Sequence, residues 1–256
     1  MKVTVIGAGN MGGAMIRGLV AGGRVAAGDI TAVAVHDKTL NAMREVGVQA
    51  TTDAVAAAKT ADVVLLAVKP WLVEGTARQI AGAVKDSALI GSVAAGIGLA
   101  DLVSYFGGDK PLFRIMPNTA VTVGESMTFV TAGGATPEQT RTMISLFEPL
   151  GKVMEVPEKQ FDGCMALASC GIAYALRYVR AAMEGGIELG IPPQMAQTVV
   201  AQTLKGAAEI LLRTGNHPEA EIDKVTTPGG ITIKGLNAME ANGFTRAVIE
   251  GLKASK

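Results

Sequence analysis

Short apolar runs alternate with longer amphipathic ones through the first half of the chain. The segments "VTVIG" (3–7), "AVAVHD" (32–37), "VVLLAV" (63–68) and "LIGSVA" (89–94) are rich in β-branched residues and mostly apolar on both faces. That is the pattern of strands covered on both sides in a parallel sheet. Between them "GGAMIRGLVAGG", "TLNAMREVG" and "WLVEGTARQIAGAV" carry apolar residues at helical spacing. Strand, helix, strand at this pacing predicts right-handed crossovers and a doubly wound α/β sheet. "LFRIM" (112–116), "MTFVT" (127–131) and "KVMEV" (152–156) extend the strand pattern.

The pattern changes around Pro157, and no strand signal follows Phe161. Asp162 is placed to cap a long helix running to about Leu189, with Gly190 just past its end. Pro192 and Pro193 open a second helix, Gln194 to Thr214, which Gly215 ends. A "TTPGG" loop then precedes a last helix from about Thr232. The expected organisation is an α/β domain over 1–157 and an all-α domain over 158–256. Within the second, "CMALASCGIAYAL" has no polar face. A domain of about 100 residues has too little interior to surround such a helix. A second copy of the chain is expected to cover it, making a homodimer; packing by the first domain is the alternative.

Composition narrows the class. The formal net charge is zero, which argues against a nucleic-acid partner. Cys164 and Cys170 are too few for a disulfide framework and fit a reducing compartment. "MKVTVIGAG" lacks a secretory apolar region, and the charge-free run Gly163–Leu176 is shorter than the roughly 20 residues a membrane span needs. A cytoplasmic protein without membrane or metal partners is expected.

The first strand leads into "GAGNMG". Gly7, Gly9 and Gly12 stand where a dinucleotide fold needs a tight turn, a close approach of backbone to pyrophosphate, and tight helix–strand packing. The cofactor site is expected to use Ile6, Gly7, Ala8, Gly9, Asn10, Met11 and Gly12, with the helix N-terminus facing the phosphates. His36, Asp37 and Lys38 lie at the second strand's tip, where the adenosine ribose belongs. Asp37 suits the two hydroxyls of NAD and Lys38 the 2′-phosphate of NADP; Lys38 tips the reading towards NADPH over NADH. Two further loops end strands: Ala67, Val68, Lys69 and Pro70, then Ala94, Ala95 and Gly96. Their small residues leave room for a flat ring. "MPNT" (116–119) is placed to close the nicotinamide end.

"HPEAEIDKVTTPGGITIKGLNAMEANGF" resembles the C-terminal signature of the pyrroline-5-carboxylate reductase family, and "LKGAAEILLRTG", "ADVVLLAVKP", "SVAAGI" and "RIMPNT" resemble its other motifs in the expected order. The resemblance implies a Rossmann-type domain, an interleaved helical dimer domain with higher oligomers in some members, and NAD(P)H-dependent reduction of 1-pyrroline-5-carboxylate to L-proline, the last step of proline biosynthesis. It also gives the loop a purpose. The backbone of Gly229, Gly230 and Ile231 can offer N–H donors to the substrate carboxylate, with hydroxyls from Thr227 and Thr232. By resemblance Thr232 hydrogen-bonds the ring nitrogen, as an orienting and polarising group and not a nucleophile. The plainer alternative is a capping turn with Thr232 as N-cap.

The chain departs from the family pattern in places. "ASCGIAY" (168–174) stands where many members have "SGSGPAY", so Cys170 replaces a serine and Ile172 a proline. "HDK" replaces the usual Ser-Asn-Arg, and Ala54 an asparagine. Two other readings compete. A β-hydroxyacid dehydrogenase would place a catalytic lysine on the long helix, and Gly163–Leu176 contains none. A non-catalytic dinucleotide sensor would have no use for "TTPGG".

Overall fold

The structure, a computed structural model, describes residues 1–255. It divides into two compact units, Met1–Ser169 and Cys170–Lys256.

The first unit is built on one eight-stranded sheet. In chain order its elements are β1 (Val3–Ile6), α1 (Asn10–Ala21), β2 (Ile30–Val33), α2 (Asp37–Glu45), β3 (Gln49–Thr51), α3 (Ala54–Thr60), β4 (Val63–Leu66), α4 (Pro70–Ala81), β5 (Leu89–Ser92), α5 (Leu99–Phe106), β6 (Leu112–Met116), β7 (Ser126–Gly133), α6 (Pro137–Phe147), β8 (Gly151–Glu155) and α7 (Phe161–Met165). The spatial order is β3-β2-β1-β4-β5-β6-β7-β8. All neighbours pair parallel except β6 and β7, which are antiparallel. β1 and β4 are buried at every position, as strands with helices on both faces must be. One face packs Met15, Ile16 and Leu19 of α1 with Met143, Leu146 and Phe147 of α6. The other packs Ala57 and Ala58 of α3 with Val73, Ala77 and Ile80 of α4 and Leu102 of α5.

Three sequence expectations shift here. The second strand, expected over 32–37, runs Ile30–Val33. The Ala34 N–H still donates to the Thr51 carbonyl, and the chain leaves the sheet after it, with Val35 82% exposed. Asp37 therefore begins α2 and is not a strand tip. The edge strand β3 was not expected. It is three residues long, two of them polar, and too short to show a period. Asp162 does not cap its helix. Gln160 occupies that position, and the Asp162 carboxylate accepts from Arg114 at 3.2 Å.

The second unit contains helices only: α8 (Gly171–Glu188), α9 (Pro193–Thr214), α10 (Pro218–Lys224), α11 (Ile231–Ala241) and α12 (Phe244–Lys253). The helix expected over 162–189 is two helices, α7 and α8, joined by a π-helical turn, Ala166–Cys170. Gly190 (φ 87°) and Gly215 (φ 66°) end α8 and α9 in the left-handed conformation that favours glycine. The last helix starts at Ile231 and stops at Ala241, where Gly243 (φ 81°) turns the chain into α12. Ala196 is the sole fully buried hydrophobic side chain described in this unit, while Leu176, Leu189, Leu212 and Ile231 are 62–87% exposed. Among the described residues no helix is long and apolar enough to cross a membrane.

Candidate functional site

The turn after β1 shows three glycines with three different reasons. Gly7 has φ 100°, and a Cβ there would lie 2.6 Å from the Ala67 carbonyl oxygen. A Cβ on Gly12 would meet the Gly7 carbonyl oxygen at 1.9 Å. Gly9 is the opposite case: nothing lies within 4 Å of its missing Cβ. Packing forbids side chains at the first and third positions, and open space lies over the second. Gly9 is also the N-cap of α1, with no side-chain cap and no acidic residue in the first turn. The first bond of the helix runs from Gly13 N–H to Gly9 C=O at 2.7 Å, so the Asn10, Met11 and Gly12 amides have no partner in the helix. Together they offer N–H donors to an anionic group.

Three cavities with shared lining residues adjoin this turn and together make a cleft. Its central part, about 570 Å³, is lined by Gly7, Gly9, Asn10, Met11, Ala67, Val68, Lys69, Pro70, Leu72, Val93, Ala94 and Ala95. Pro70 is the first residue of α4, and Lys69 sits at its N-cap position, exposed and without a side-chain capping bond. One arm of the cleft extends along Ile6, Ala8, Val33, Ala34, His36, Thr39, Thr52 and Ala54. Of the residues expected at the adenosine end, His36 lines this arm, while Asp37 and Lys38 are exposed outside its lining in the first turn of α2. Gly12 and Gly96 are likewise outside the lining. Sequence reasoning missed Thr39, Thr52, Thr76 and Gln79 in this arm. The signal was there for two of them: Thr76 and Gln79 are polar residues three apart on one face of α4.

The other arm runs from Ala94 and Ala95 to Met116, Pro117, Phe161, Met165 and Ser169, with Arg114 at its side. Arg114 is already committed. Its guanidinium lies 3.2 Å from Asp162, 3.7 Å from Glu158 and 4.2 Å over the Phe161 ring. Among the described residues no aspartate or glutamate lines any part of the cleft. A dinucleotide fits this donor set: amides at the pyrophosphate, small side chains at a flat ring, and no opposing carboxylate.

In the second unit the "TTPGG" loop lies between α10 and α11. Gly229 has φ 73°, and Gly230 is the N-cap of α11. Two expectations change. The Gly230 N–H is not free, because it donates to the Thr227 carbonyl at 2.9 Å and closes the turn. Thr232 is not the N-cap; it is the second residue of α11. The donors that remain are the Gly229 amide and the first-turn amides of α11, beginning with Ile231 and Thr232. Thr227, Gly229, Ile231 and Thr232 are all exposed in the single chain.

Comparison with known proteins agrees with this geometry. Residues 158–256 match the family model described as pyrroline-5-carboxylate reductase dimerisation, and residues 2–96 the model described as NADP oxidoreductase, coenzyme F420-dependent. The pyrroline-5-carboxylate reductase of Arabidopsis thaliana is 35% identical, the match covering 99% of this chain and 92% of that protein. The chain belongs to the pyrroline-5-carboxylate reductase family. Pyrroline-5-carboxylate reductase 1 of Dictyostelium discoideum is 36% identical over 99% of the chain, and this chain spans 48% of that longer protein. The pyrroline-5-carboxylate reductase structure from Coxiella burnetii superposes with a TM-score of 0.93 at 28% identity, covering 99% of this chain and 95% of that one. The family reaction, reduction of 1-pyrroline-5-carboxylate to proline with NAD(P)H, is this chain's activity.

Proposed function

We propose that the first unit holds the cofactor along its cleft and that the second unit's loop holds the substrate. The observation that carries this reading is the open space at Gly9, flanked by two glycines that packing will not allow to change. The amides of Asn10 and Met11 bind the pyrophosphate. Ala67, Val68, Lys69, Pro70, Ala94 and Ala95 shape the middle of the cleft. His36 lines the adenosine arm; Lys38, outside that lining in the first turn of α2, is placed to meet a 2′-phosphate and Asp37 beside it opposes one, and of the two Lys38 tips the reading to NADPH. On the loop, the Gly229, Ile231 and Thr232 amides hold the substrate carboxylate, and the Thr232 hydroxyl orients the ring nitrogen and polarises the C=N bond. When bound, NAD(P)H supplies the hydride to the C=N carbon. The chain's own task is alignment, because an imine protonates readily and needs no dedicated acid.

The division of labour follows the two compact units, which meet at Ser169 and Cys170, twelve residues beyond the boundary expected at 157 and 158. The exposed apolar side chains of the helical unit support a homodimer, in which a second copy covers what the unit cannot bury for itself. The free thiols of Cys164 and Cys170 support a cytoplasmic setting.

The test is an initial-rate assay with 1-pyrroline-5-carboxylate and each cofactor in turn, with proline measured as product. Proline formation with a higher kcat/KM for NADPH supports the reading. Folded protein that forms no proline with either cofactor overturns it.

A further inference from the structure

The far arm of the cleft ends on an unusual piece of backbone. The π turn Ala166–Cys170 shifts the helical hydrogen bonding by one residue, and such turns disturb the ladder of carbonyl acceptors. Here the Ala168 carbonyl accepts from the Asn118 side chain, Nδ2 to O 3.2 Å. Asn118 is 5% exposed and held on every side. Its Oδ1 accepts from the Ala120 N–H at 3.1 Å, and its own N–H donates to Ser126 Oγ at 3.1 Å. Ser126 Oγ in turn lies 3.1 Å from Thr128 Oγ1, and both hydroxyls are buried. The Asn118 amide is thus fixed in one orientation, because reversing it would break both side-chain bonds.

The residue next to Ala168 is Ser169, which lines the end of the cleft beside Met116, Pro117, Phe161 and Met165. Arg114 is the other polar group there, and its guanidinium is engaged by Asp162 and Phe161. Among the described residues the Ser169 hydroxyl makes no hydrogen bond, so it is the side chain available to a ligand at this end.

We infer that Ser169 hydrogen-bonds the carboxamide of the nicotinamide ring, and that Asn118 is the positioning residue that sets it there through the Ala168 carbonyl. The inference rests on the cofactor lying along this cleft. The chemistry recognised is a primary amide on a flat ring: a hydroxyl can donate to its oxygen or accept from its nitrogen, and the apolar wall takes the ring face.

The test uses matched ligands that differ only at that ring. NADPH and 2′-phospho-ADP-ribose share everything up to the second ribose; the latter has no nicotinamide. Dissociation constants for both are measured by titration on the full chain as wild type, Ser169→Ala and Asn118→Asp. Asn118→Asp keeps the acceptor for Ala120 and loses the donor to Ala168. Each variant is expected to weaken NADPH roughly 3- to 10-fold, the size of one ordinary hydrogen bond, and to leave 2′-phospho-ADP-ribose within about 2-fold. Equal weakening of both ligands would reduce Asn118 to a support of the fold, and no weakening of either would remove Ser169 from the site; each overturns the inference. Ser169→Ala touches no internal bond, so it decides the matter even if Asn118→Asp folds poorly. Gly9→Ala that leaves the affinity of folded protein for both ligands unchanged would instead overturn the placement of the cofactor in the cleft.

Discussion

A methyl group on Gly12 would lie 1.9 Å from the carbonyl oxygen of Gly7, with backbone on the receiving side. Nothing flexible can yield, so the turn itself must move. Gly12→Ala is expected to cost at least ~1–3 kcal/mol. That lowers the thermal midpoint by several degrees, at roughly 2–4 °C per kcal/mol for a chain of this size. Gly9→Ala should behave differently. Its backbone is extended (φ −71°, ψ −154°) and its surroundings are empty, so the fold tolerates it. The methyl group stands where the pyrophosphate must approach, and cofactor affinity should fall roughly 10- to 150-fold, the equivalent of losing one charged hydrogen bond. Thermal melts and cofactor titrations on the two variants separate the roles.

At the adenosine end, His36 lines the cleft and Lys38 sits two residues on, in the first turn of α2. Lys38→Glu and His36→Ala should each raise the KM for NADPH more than that for NADH, the charge reversal by roughly 10- to 150-fold. Equal effects on both cofactors would show that neither residue reads the 2′-phosphate.

Several of these assignments were legible in the sequence for physical reasons. Strands covered on both faces are mostly apolar, so β1, β4, β5 and β6 stand out despite Thr4, Ser92 and Arg114, and the glycine turn is compulsory once β1 and α1 pack together. The misses have physical causes too. Ala34 and Val35 look like strand residues, yet β2 ends at Val33 and Val35 is exposed. A π turn has no hydrophobic period of its own, so 162–189 read as one helix. The Gly230 N–H looked available because nothing in "TTPGG" reveals that Thr227 has already taken it.

On the loop, Thr232→Ala removes one oriented hydroxyl and leaves the backbone donors. Turnover should fall roughly 10- to 150-fold if that bond tightens in the transition state. Gly230→Val acts on the loop itself. A Cβ there would lie 2.6 Å from Thr227 Oγ1 and 3.0 Å from the Thr227 carbonyl oxygen, so the turn must open. The KM for substrate should rise while the NADPH dissociation constant stays within about 2-fold of wild type. A wild-type KM in folded Gly230→Val would show that the turn does not hold substrate.

The helical unit exposes Leu176 and Leu212 by 62% and 70%. If a second copy covers them, Leu176→Glu should produce monomers by light scattering at micromolar concentration, with loss of helical content and of activity. An active, folded monomer would contradict the dimer.

Acid sensitivity should have a specific origin at the base of the sheet. The Asp62 carboxyl is held below its ordinary value, first by the Lys2 backbone N–H and then by Lys85. A carboxylate whose folded pKa is depressed stabilises the fold above its unfolded value of about 4. That contribution disappears as the pH falls through the lower folded value. Asp62→Asn should therefore melt below wild type at neutral pH and converge with it under acid. A constant gap at every pH would assign the effect to packing.

The cleft carries His36 and Lys69 along its walls, with Arg114 already paired to Asp162 and Glu158, and among the described residues no carboxylate lines it, while the whole chain has a formal net charge of zero. These two facts act at different ranges. At physiological ionic strength fields are screened within about 8 Å, so a distant polyanionic cofactor is not drawn in by a neutral molecule. Attraction begins only at the mouth, where the local lining is free of opposing charge. Added salt should consequently shorten the residence time of the bound dinucleotide and leave its rate of arrival almost untouched.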